Sequence, residues 1–457
     1  MKPMPGAIAI QFGRLARSAN SVPPLRLLAG IGAVLVALAL VTPFAFEAGG
    51  DNVFIALAIL AGLLTIAATR LAERVPAERA LWLVFGVGIF LRAYVLLFDP
   101  LLSSDINRYV WDGRVQAAGI NPYRYVPAHE ALAFLRDATI FPHINRADTA
   151  PTIYPPVAQF FFLIVTRFGE NVTTMRLAML ACDAVSVALI MLFLRQMDQP
   201  VTRVIAYLWH PLPLWEIANG GHVDALMVAL MLSGLWVAMT GKALRGVALI
   251  AFSALVKPYV APVLAGIWRP WNLKMPLVVV AVTVLCYLPY LSVGWGVFGY
   301  LTKGYMAEEG ISAGYELWPL ALWRLAFGEH RGDVAVYLVL ATLALLFAAF
   351  VVAFRTDRNV ASSLGSINML LLLSLLLVSP NYPWYFLAVT PFVALCGSPP
   401  TWAVSIAALM LSEQLDWDFY IPRMVTKSVL FGGLLLAWAW VAWRSRQSRT
   451  ANAGSSQ

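Results

Sequence analysis

Residues 103–159 read SSDINRYVWDGRVQAAGINPYRYVPAHEALAFLRDATIFPHINRADTAPTIYPPVAQ, the longest polar interval in an otherwise apolar sequence. This interval carries five acidic residues and five arginines, and apolar runs flank it on both sides. A polar loop of this length is usually functional or disordered. We expect order, because aromatic residues can give the interval a core of its own. These residues are Tyr109, Trp111, Tyr123, Tyr125, Phe134, Phe141 and Tyr154.

The composition of the whole chain indicates a membrane protein. Of its 457 residues, 60% are hydrophobic and only 12% are charged, and the mean hydropathy is +0.75. A soluble domain carries about a quarter charged residues. We therefore predict an all-α fold, a polytopic bundle of about eleven to thirteen transmembrane helices, since helices satisfy their own backbone groups in lipid.

The distribution of charge predicts the orientation and argues against nucleic acid as a partner. The net charge is +8, but the basic residues form short clusters between apolar runs, which is typical of cytoplasmic loops. We predict one transmembrane domain over residues 1–449, in the cytoplasmic membrane, with the N-terminus in the cytoplasm. Outer loops are expected at 98–174 and 293–333, and a disordered tail at 450–457.

Two apolar runs do not fit a simple crossing. Residues 156–168 reach only about 20 Å as a helix, so we expect an interfacial or re-entrant segment. Residues 246–268 are interrupted by Lys257-Pro258. That segment is either one kinked span or a hairpin of two half-helices, and the basic residues on both sides favour the hairpin.

Asp105 is the first candidate for chemistry, because it follows directly after the third apolar run. A carboxylate at the membrane border can be partly desolvated, which makes it a usable general base. The structural alternative is a helix cap before INRYVWDGR, for which Ser103, Ser104 and Asp105 are all suited. The two roles are compatible, since a catalytic residue can also cap a helix.

Three basic residues are candidates for binding a phosphate. Arg108 and Arg114 could hold a lipid phosphate bidentately, or they could pair with Asp112 and other nearby acids, or with lipid headgroups. Lys257 is a charge within an apolar run, which is a functional hypothesis by default, although its side chain could also snorkel to the interface.

The remaining candidates lie near the expected outer ends of spans. His222 and Asp224 follow a Gly-Gly turn and could contact the acceptor or a phosphate, whereas capping by Asp224 is the alternative. They do not define a metal site, and we predict none. Tyr154 and Tyr382 complete the substrate-binding candidates. Tyr382 and the aromatic residues beside it could equally form an interfacial belt.

Motifs that the sequence lacks also limit the function. It contains no Walker motif, no GxGxxG ahead of a strand, no GxSxG and no HExxH. A nucleotide-fuelled pump and a hydrolase of standard type are therefore not supported. A transporter or lipid-linked-sugar flippase stays open, because interrupted helices are common in transporters. A polysaccharide polymerase that uses lipid-linked sugars through a pyrophosphate is a further alternative.

Several motifs together resemble a known superfamily. They are SDINRYVWDGRVQAAGINPYRY, TIYPPVAQ, GGHVDALMVAL, ALVKPYVAPVL and SPNYPWYFL. Over residues 81–395 the sequence resembles the bacterial polytopic glycosyltransferases of the GT-C superfamily, and most of all the polyprenol-phosphate-mannose-dependent mannosyltransferases. Two features differ from that pattern. Ser104 stands where many relatives have an acid beside the catalytic one, and two additional spans precede residue 81.

The resemblance implies a lipid-phosphate sugar donor on the outer membrane face and a catalytic acid in the first long outer loop, here Asp105. The expectation is that a hexose, mannose, moves from a polyprenyl-phosphate donor to a glycan or glycolipid acceptor with inversion. The donor phosphate would lie near Arg108, Arg114 or Lys257. We expect no metal and no cofactor, and the partners are membrane lipids and these substrates.

Overall fold

A computed structural model of the chain describes residues 23–298, 304–412 and 423–454. All regular secondary structure within these ranges is helical, so the predicted all-α class is confirmed. The expected cytoplasmic tail at residues 1–21 lies outside the described residues. The last helix continues to Gly454, five residues into the segment expected to be disordered, and residues 455–457 lie outside the described part.

The first part of the chain is organised around helices that precede and enter the polar interval. They are α1 (Pro24–Ala72), α2 (Ala77–Val95), α3 (Asp105–Ala117) and α4 (Pro156–Thr166), with 3-10 turns at Glu130–Leu135 and Phe141–His143 between the last two. Helix α1 is broken at Gly50, where φ is 65° and ψ is −159°. Only glycine adopts such angles readily, so α1 consists of two helices joined at this residue.

The middle of the chain is repeatedly interrupted. It contains α5 (Val172–Gln196), short helical turns at Val201–Val204, Ile205–Leu208 and Pro211–Pro213, a π-helix at Leu214–Asn219, α6 (Asp224–Met239), α7 (Ala243–Ala254), a 3-10 helix at Pro258–Val263 and a turn at Leu264–Ile267. The helical segments on the two sides of the Gly220-Gly221 turn are bent by 118°. Residues 264–267 contact α7, so the segment after Lys257-Pro258 packs beside that helix, an arrangement compatible with the hairpin alternative.

The C-terminal part supplies most of the long apolar helices. It contains α8 (Lys274–Tyr287), α9 (Trp318–Phe327), α10 (Asp333–Ala353), α11 (Val360–Val378), α12 (Thr390–Cys396), α13 (Pro399–Ala407) and α14 (Arg423–Gly454), with shorter 3-10 or α turns at Leu288–Phe298, Met306–Glu308, Pro383–Ala388 and Ala408–Ser412.

Several apolar runs form helices shorter than a full span. Among the described residues, six helices are long and apolar enough to cross a membrane, or seven if the bent pair forms one span. This count takes α1 as one helix although α1 is divided at Gly50, so the expected eleven to thirteen spans stay a prediction. Hydropathy identified the apolar runs, but prolines and glycines divide several of them into helices too short to cross. Helix α4, with 11 residues, is one of the short helices, as predicted.

Close packing of α3 against α4 fixes the polar interval. At Gly113 an added Cβ would lie 2.5 Å from the carbonyl oxygen of Phe162, so only glycine permits this approach. Tyr109 stacks on Phe162 with ring centroids 4.6 Å apart. The backbone N–H of Val157 donates to the carbonyl of Leu255 at 3.2 Å. These contacts bring the start of α3, the start of α4 and the chain break at Lys257 together.

Candidate active site

A cavity of about 440 Å³ lies among the polar interval, the break at Lys257 and segments from the C-terminal third of the chain. Its charged lining residues are Asp105, Arg108, Arg146, Lys257, Glu308, Glu309 and Arg423. Five of the candidates named from the sequence are among the residues that line it. These are Asp105, Arg108, Tyr154, Lys257 and Tyr382.

Asp105 is the first residue of α3, and its carboxylate is held by two donors. Asn145 Nδ2 donates to Oδ1 at 2.7 Å, and the Tyr154 hydroxyl donates to Oδ2 at 3.2 Å. The capping position is Ser104, whose side chain makes no capping hydrogen bond. Burial, with the charge of Asp105 second, raises the pKa of Tyr154 well above its ordinary value. Tyr154 therefore stays protonated and orients the Asp105 carboxylate, which lies at the positive end of the helix dipole.

Arg108 and Lys257 place positive charge on the same cavity, and each has an acidic partner behind it. Arg108 Nε donates to Asp112 at 2.8 Å. Lys257 Nζ lies 3.4 Å from Asp224 Oδ2 and 4.9 Å from the ring centroid of Tyr385. We call Asp105, Arg108, Tyr154 and Lys257 the N-terminal lining.

Asp224 and His222 lie behind the cavity and are not among its lining residues. Asp224 is fully buried and accepts a hydrogen bond from Tyr259 at 3.1 Å, so its geometry is that of a partner for Lys257. His222 is also fully buried. Its Nε2 is 3.2 Å from Glu216 Oε2, although within the described residues neither ring nitrogen has a hydrogen-bond partner.

Arg114, at the other end of α3, is likewise not among the cavity-lining residues. It donates to Asp137 at 2.7 Å, to Glu170 at 2.9 Å and to the carbonyl of Leu135 at 3.0 Å. Because its guanidinium binds these three acceptors, Arg114 connects α3 to later parts of the polar interval and to Glu170 just beyond it. Of the two arginines on α3, Arg108 is the one that lines the cavity.

Several residues from the C-terminal part of the chain also line the cavity, and the sequence did not indicate that they form one group. We call Glu309, Asn381, Tyr382, Trp384 and Arg423 the C-terminal lining. Glu309 accepts from the Tyr382 hydroxyl at 3.0 Å and from Asn381 Nδ2 at 2.9 Å. Burial, with the charge of Glu309 second, raises the pKa of Tyr382, so the tyrosine is a donor here.

Arg146 links the polar interval to the C-terminal lining. It forms ion pairs with Glu308 and Glu309 and has a left-handed φ of 55°, which a non-glycine residue adopts at a cost. Burial acts to lower the pKa of Arg146, but the hydrogen bond and charge of Glu308 outweigh it and raise that pKa. Arg146 therefore remains charged. The residue lay in the quoted polar interval, but its partners are 162 and 163 residues away.

Trp384 is enclosed by an aromatic stack. Tyr382 stacks on it with centroids 4.4 Å apart and planes 4° from parallel, and His222 stacks at 4.1 Å and 20°. Two rings cannot share one face of an indole at these distances, so both faces of Trp384 are covered. The indole offers only an edge to the cavity, whereas Tyr382 can offer its hydroxyl and its outer face.

A cation site was not expected from the sequence. Within the ranges that the structure describes, no group of three or more histidine, cysteine or acidic side chains is arranged to hold a metal ion. The described site does provide three carboxylates, of which Asp105 is oriented by two donors, together with four cations and several hydrogen-bonding groups around one cavity. That combination suits an anionic substrate with hydroxyl groups.

Comparisons with known proteins give the family. Residues 27–272 match the family model described as alpha-(1->6)-mannopyranosyltransferase, N-terminal domain. The chain is 24% identical over 355 residues to alpha-(1->6)-mannopyranosyltransferase A of Mycobacterium tuberculosis, an alignment that covers 71% of this chain and 67% of the relative. No solved structure matches.

A second relative is the "Probable alpha-(1->6)-mannopyranosyltransferase" of Mycolicibacterium smegmatis. It is 28% identical over 199 residues, which is 42% of this chain and 34% of the relative. The chain thus spans about a third of that relative's length and about two thirds of the first. The matched family model covers more than half of this chain and includes the whole N-terminal lining, which confirms the resemblance seen in the motifs. The chain therefore belongs to the alpha-(1->6)-mannopyranosyltransferase family and is a glycosyltransferase.

Proposed function

We propose that the protein transfers mannose from a polyprenyl-phosphate donor to a glycan or glycolipid acceptor at the outer face of the cytoplasmic membrane. The family supports a mannosyl group, and the long apolar helices support a donor that resides in lipid. The observation that carries the proposal is the position of Asp105: an oriented carboxylate on the same cavity as Arg108 and Lys257.

In the proposed reaction Asp105 is the general base. Its carboxylate takes the proton of an acceptor hydroxyl as that oxygen attacks the anomeric carbon. The bond between the anomeric carbon and the phosphate oxygen breaks, and its electron pair leaves with the phosphate. Asn145 and Tyr154 support the assignment, because they fix the carboxylate before substrate arrives and so lower the cost of orienting it.

Arg108 and Lys257 are the proposed ligands of the donor phosphate. The charge on the phosphate increases as the sugar departs, and cations fixed beside it stabilise that charge. Asp112 and Asp224 hold these cations from behind, so they need not reorganise during the reaction. Tyr382 lines the cavity and can contact substrate itself, whereas His222 acts less directly, through its stacking on Trp384 in the cavity wall.

The expected stereochemistry follows from a single displacement. One attack at the anomeric carbon inverts its configuration, so an α-linked product requires a β-linked sugar phosphate. The names of the relatives specify an alpha-(1->6) linkage. We therefore propose a β-linked polyprenyl-phosphate mannose as the donor, and an α-linked donor should not be turned over.

The test is Asp105→Asn in the purified protein, with polyprenyl-phosphate mannose and a membrane glycolipid extract as substrates and mass spectrometry of the product. Removal of a general base should lower kcat by about 10²–10⁴-fold. Asp148→Asn is the matched control, because Asp148 is an exposed residue of the same interval that is not among those lining the cavity. Wild-type turnover by a folded Asp105→Asn protein would rule out the carboxylate as the base.

A further inference from the structure

A buried lysine lies behind the C-terminal lining, outside the region that the family model matches. Lys427 is fully buried on α14, where a charged side chain is costly unless it is fully hydrogen-bonded. Its ammonium group donates to the Glu316 carboxylate at 2.9 Å and to Asn381 Oδ1 at 2.6 Å. The carbonyl oxygens of Glu316 and Ser379 lie at 2.6 Å and 2.8 Å.

The contact with Lys427 determines which way the Asn381 amide faces. An ammonium group has only donors, so it must meet the amide oxygen and not the amide nitrogen. Asn381 Nδ2 then points away from the lysine, and it donates to Glu309 Oε2 at 2.9 Å and to the Glu309 carbonyl at 3.2 Å. The reversed amide would place its oxygen against the Glu309 carboxylate and its nitrogen against the ammonium group, so Lys427 and Glu309 together fix its orientation.

Glu309 transmits this arrangement to the cavity. Its side chain is buried, and Asn381 occupies one of its carboxylate oxygens. The other oxygen, Oε1, accepts from the Tyr382 hydroxyl at 3.0 Å and lies 3.4 Å from Arg146. The chain of contacts therefore runs from Lys427 through Asn381 and Glu309 to Tyr382 and Arg146.

We infer that Lys427 is a positioning residue for the acceptor side of the reaction, acting through Asn381 and Glu309 on Tyr382 and Arg146. The inference rests on the proposed function. The N-terminal lining holds the base and the phosphate-binding cations, which leaves the amide, phenol and ion-paired groups of the C-terminal lining for the acceptor. Such groups suit the hydroxyls of a sugar, because each can donate or accept a hydrogen bond.

The experiment is steady-state kinetics of Lys427→Met with the donor and acceptor varied separately. We expect the KM for the acceptor to rise about 10-fold, and the KM for polyprenyl-phosphate mannose and kcat to change less than about 3-fold, as for an interaction made equally in ground and transition states. Ser428→Ala is the matched control, because Ser428 lies beside Lys427 on α14. The substitution removes the hydrogen bond that Trp318 donates to Ser428 at 2.9 Å and leaves the contacts from Lys427 to Tyr382 intact.

Two further variants keep the inference falsifiable if Lys427→Met does not fold. Asn381→Asp keeps a partner for the lysine but replaces the donor to Glu309 by a second acceptor, so it should fold and still raise the acceptor KM about 10-fold. Tyr382→Phe removes the last member of the chain. Its effect and that of Asn381→Asp should be less than additive, as is usual for residues in one network.

Different results would contradict the positioning role of Lys427 and the proposed function. An unchanged acceptor KM in both Lys427→Met and Asn381→Asp, or a change equal to that of Ser428→Ala, would overturn the positioning role alone. A donor KM that rises with the acceptor KM unchanged would overturn the assignment to the acceptor side. Failure of the wild-type protein to transfer mannose from polyprenyl-phosphate mannose would refute the proposed function, and the inference with it.

Discussion

The N-terminal and C-terminal linings meet the same cavity but are built from different contacts. In the N-terminal lining each charged group facing the cavity has a separate partner behind it, as Asp112 supports Arg108 and Asp224 supports Lys257. In the C-terminal lining the groups bond to one another, so that Glu309 alone engages Asn381, Tyr382 and Arg146.

The two kinds of contact suit different roles in a reaction. Separately supported charges can meet a substrate one at a time without disturbing their neighbours, which suits a base and a phosphate site. A shared network moves as a unit, so loss of any member alters the shape of the whole surface. We therefore expect substitutions in the N-terminal lining to lower kcat and substitutions in the C-terminal lining to raise KM.

The largest effect beyond Asp105 is expected at Lys257. Lys257→Met should lower kcat by about 10²-fold, the typical cost of losing one fixed charge that stabilises developing negative charge. Lys242→Met is the control, because Lys242 is exposed and is not among the residues that line the cavity. If Lys257→Met instead raised the KM for the acceptor and left kcat unchanged, the two linings would not differ in the way proposed.

Asp224→Asn tests whether that carboxylate acts only through Lys257. The substitution should lower kcat by about 10-fold, and the double variant with Lys257→Met should be no worse than Lys257→Met alone, since a shared interaction is lost only once. The measurement is a double-mutant cycle, built from the single-turnover rates of the wild-type protein, the two single variants and the double variant. Additive losses would instead indicate a direct contact between Asp224 and substrate.

A smaller effect is expected for Arg108→Lys. Arg108 donates to Asp112 at 2.8 Å and to the carbonyl of Ala150 at 3.0 Å, a fork that lysine cannot reproduce. The charge remains, so kcat should fall only about 10-fold. Arg108→Gln, which removes the charge, should lower kcat further; equal values for the two variants would show that geometry alone matters at this position.

Features that depend only on neighbouring residues in the sequence, such as the free-energy cost of a charge within an apolar run, could be predicted. Apolar composition required helices in a bilayer, and a lysine within an apolar run required a partner, which is why Lys257 could be named in advance. Asp105 was identified in the same way, from an acid at the end of an apolar run. Several helix ends inside the apolar runs were not predicted, because hydropathy does not register where a proline or glycine ends a helix.

Partners that are distant in sequence could not be predicted. Asp137 and Glu170 lie 23 and 56 residues from Arg114, so the sequence could not show that they, and not a phosphate, would engage it. The contacts of Asn381 with Glu309 and with Lys427 span 72 and 46 residues. No local pattern in the sequence joins these three residues, and only the fold brings them together.

The smallest effect is expected at Asp137, and it separates charges that hold the polar interval from charges that face substrate. Burial by itself would raise the pKa of Asp137, but hydrogen bonds from Arg114 and from the backbone N–H groups of Ile140 and Phe141 hold that pKa well below its usual value. A carboxyl whose pKa is lowered by folding contributes its stability above the unfolded pKa of about 3.9, and loses it as the pH falls further.

Asp137→Asn should therefore lower the Tm at pH 7 by about 2 °C, since the pair is partly exposed and such pairs contribute little. Between pH 6 and pH 3 the Tm of the variant should fall less than that of the wild-type protein. The kcat at pH 7 should stay within about 2-fold, because Arg114 is not among the residues that line the cavity. Thermal unfolding in detergent across this range is the measurement, with Asp148→Asn as the control for an exposed carboxyl of the same interval. A large loss of kcat without loss of Tm would support Arg114 as a ligand of the donor phosphate. Removing its partner Asp137 would in that case affect the reaction and not the stability of the fold.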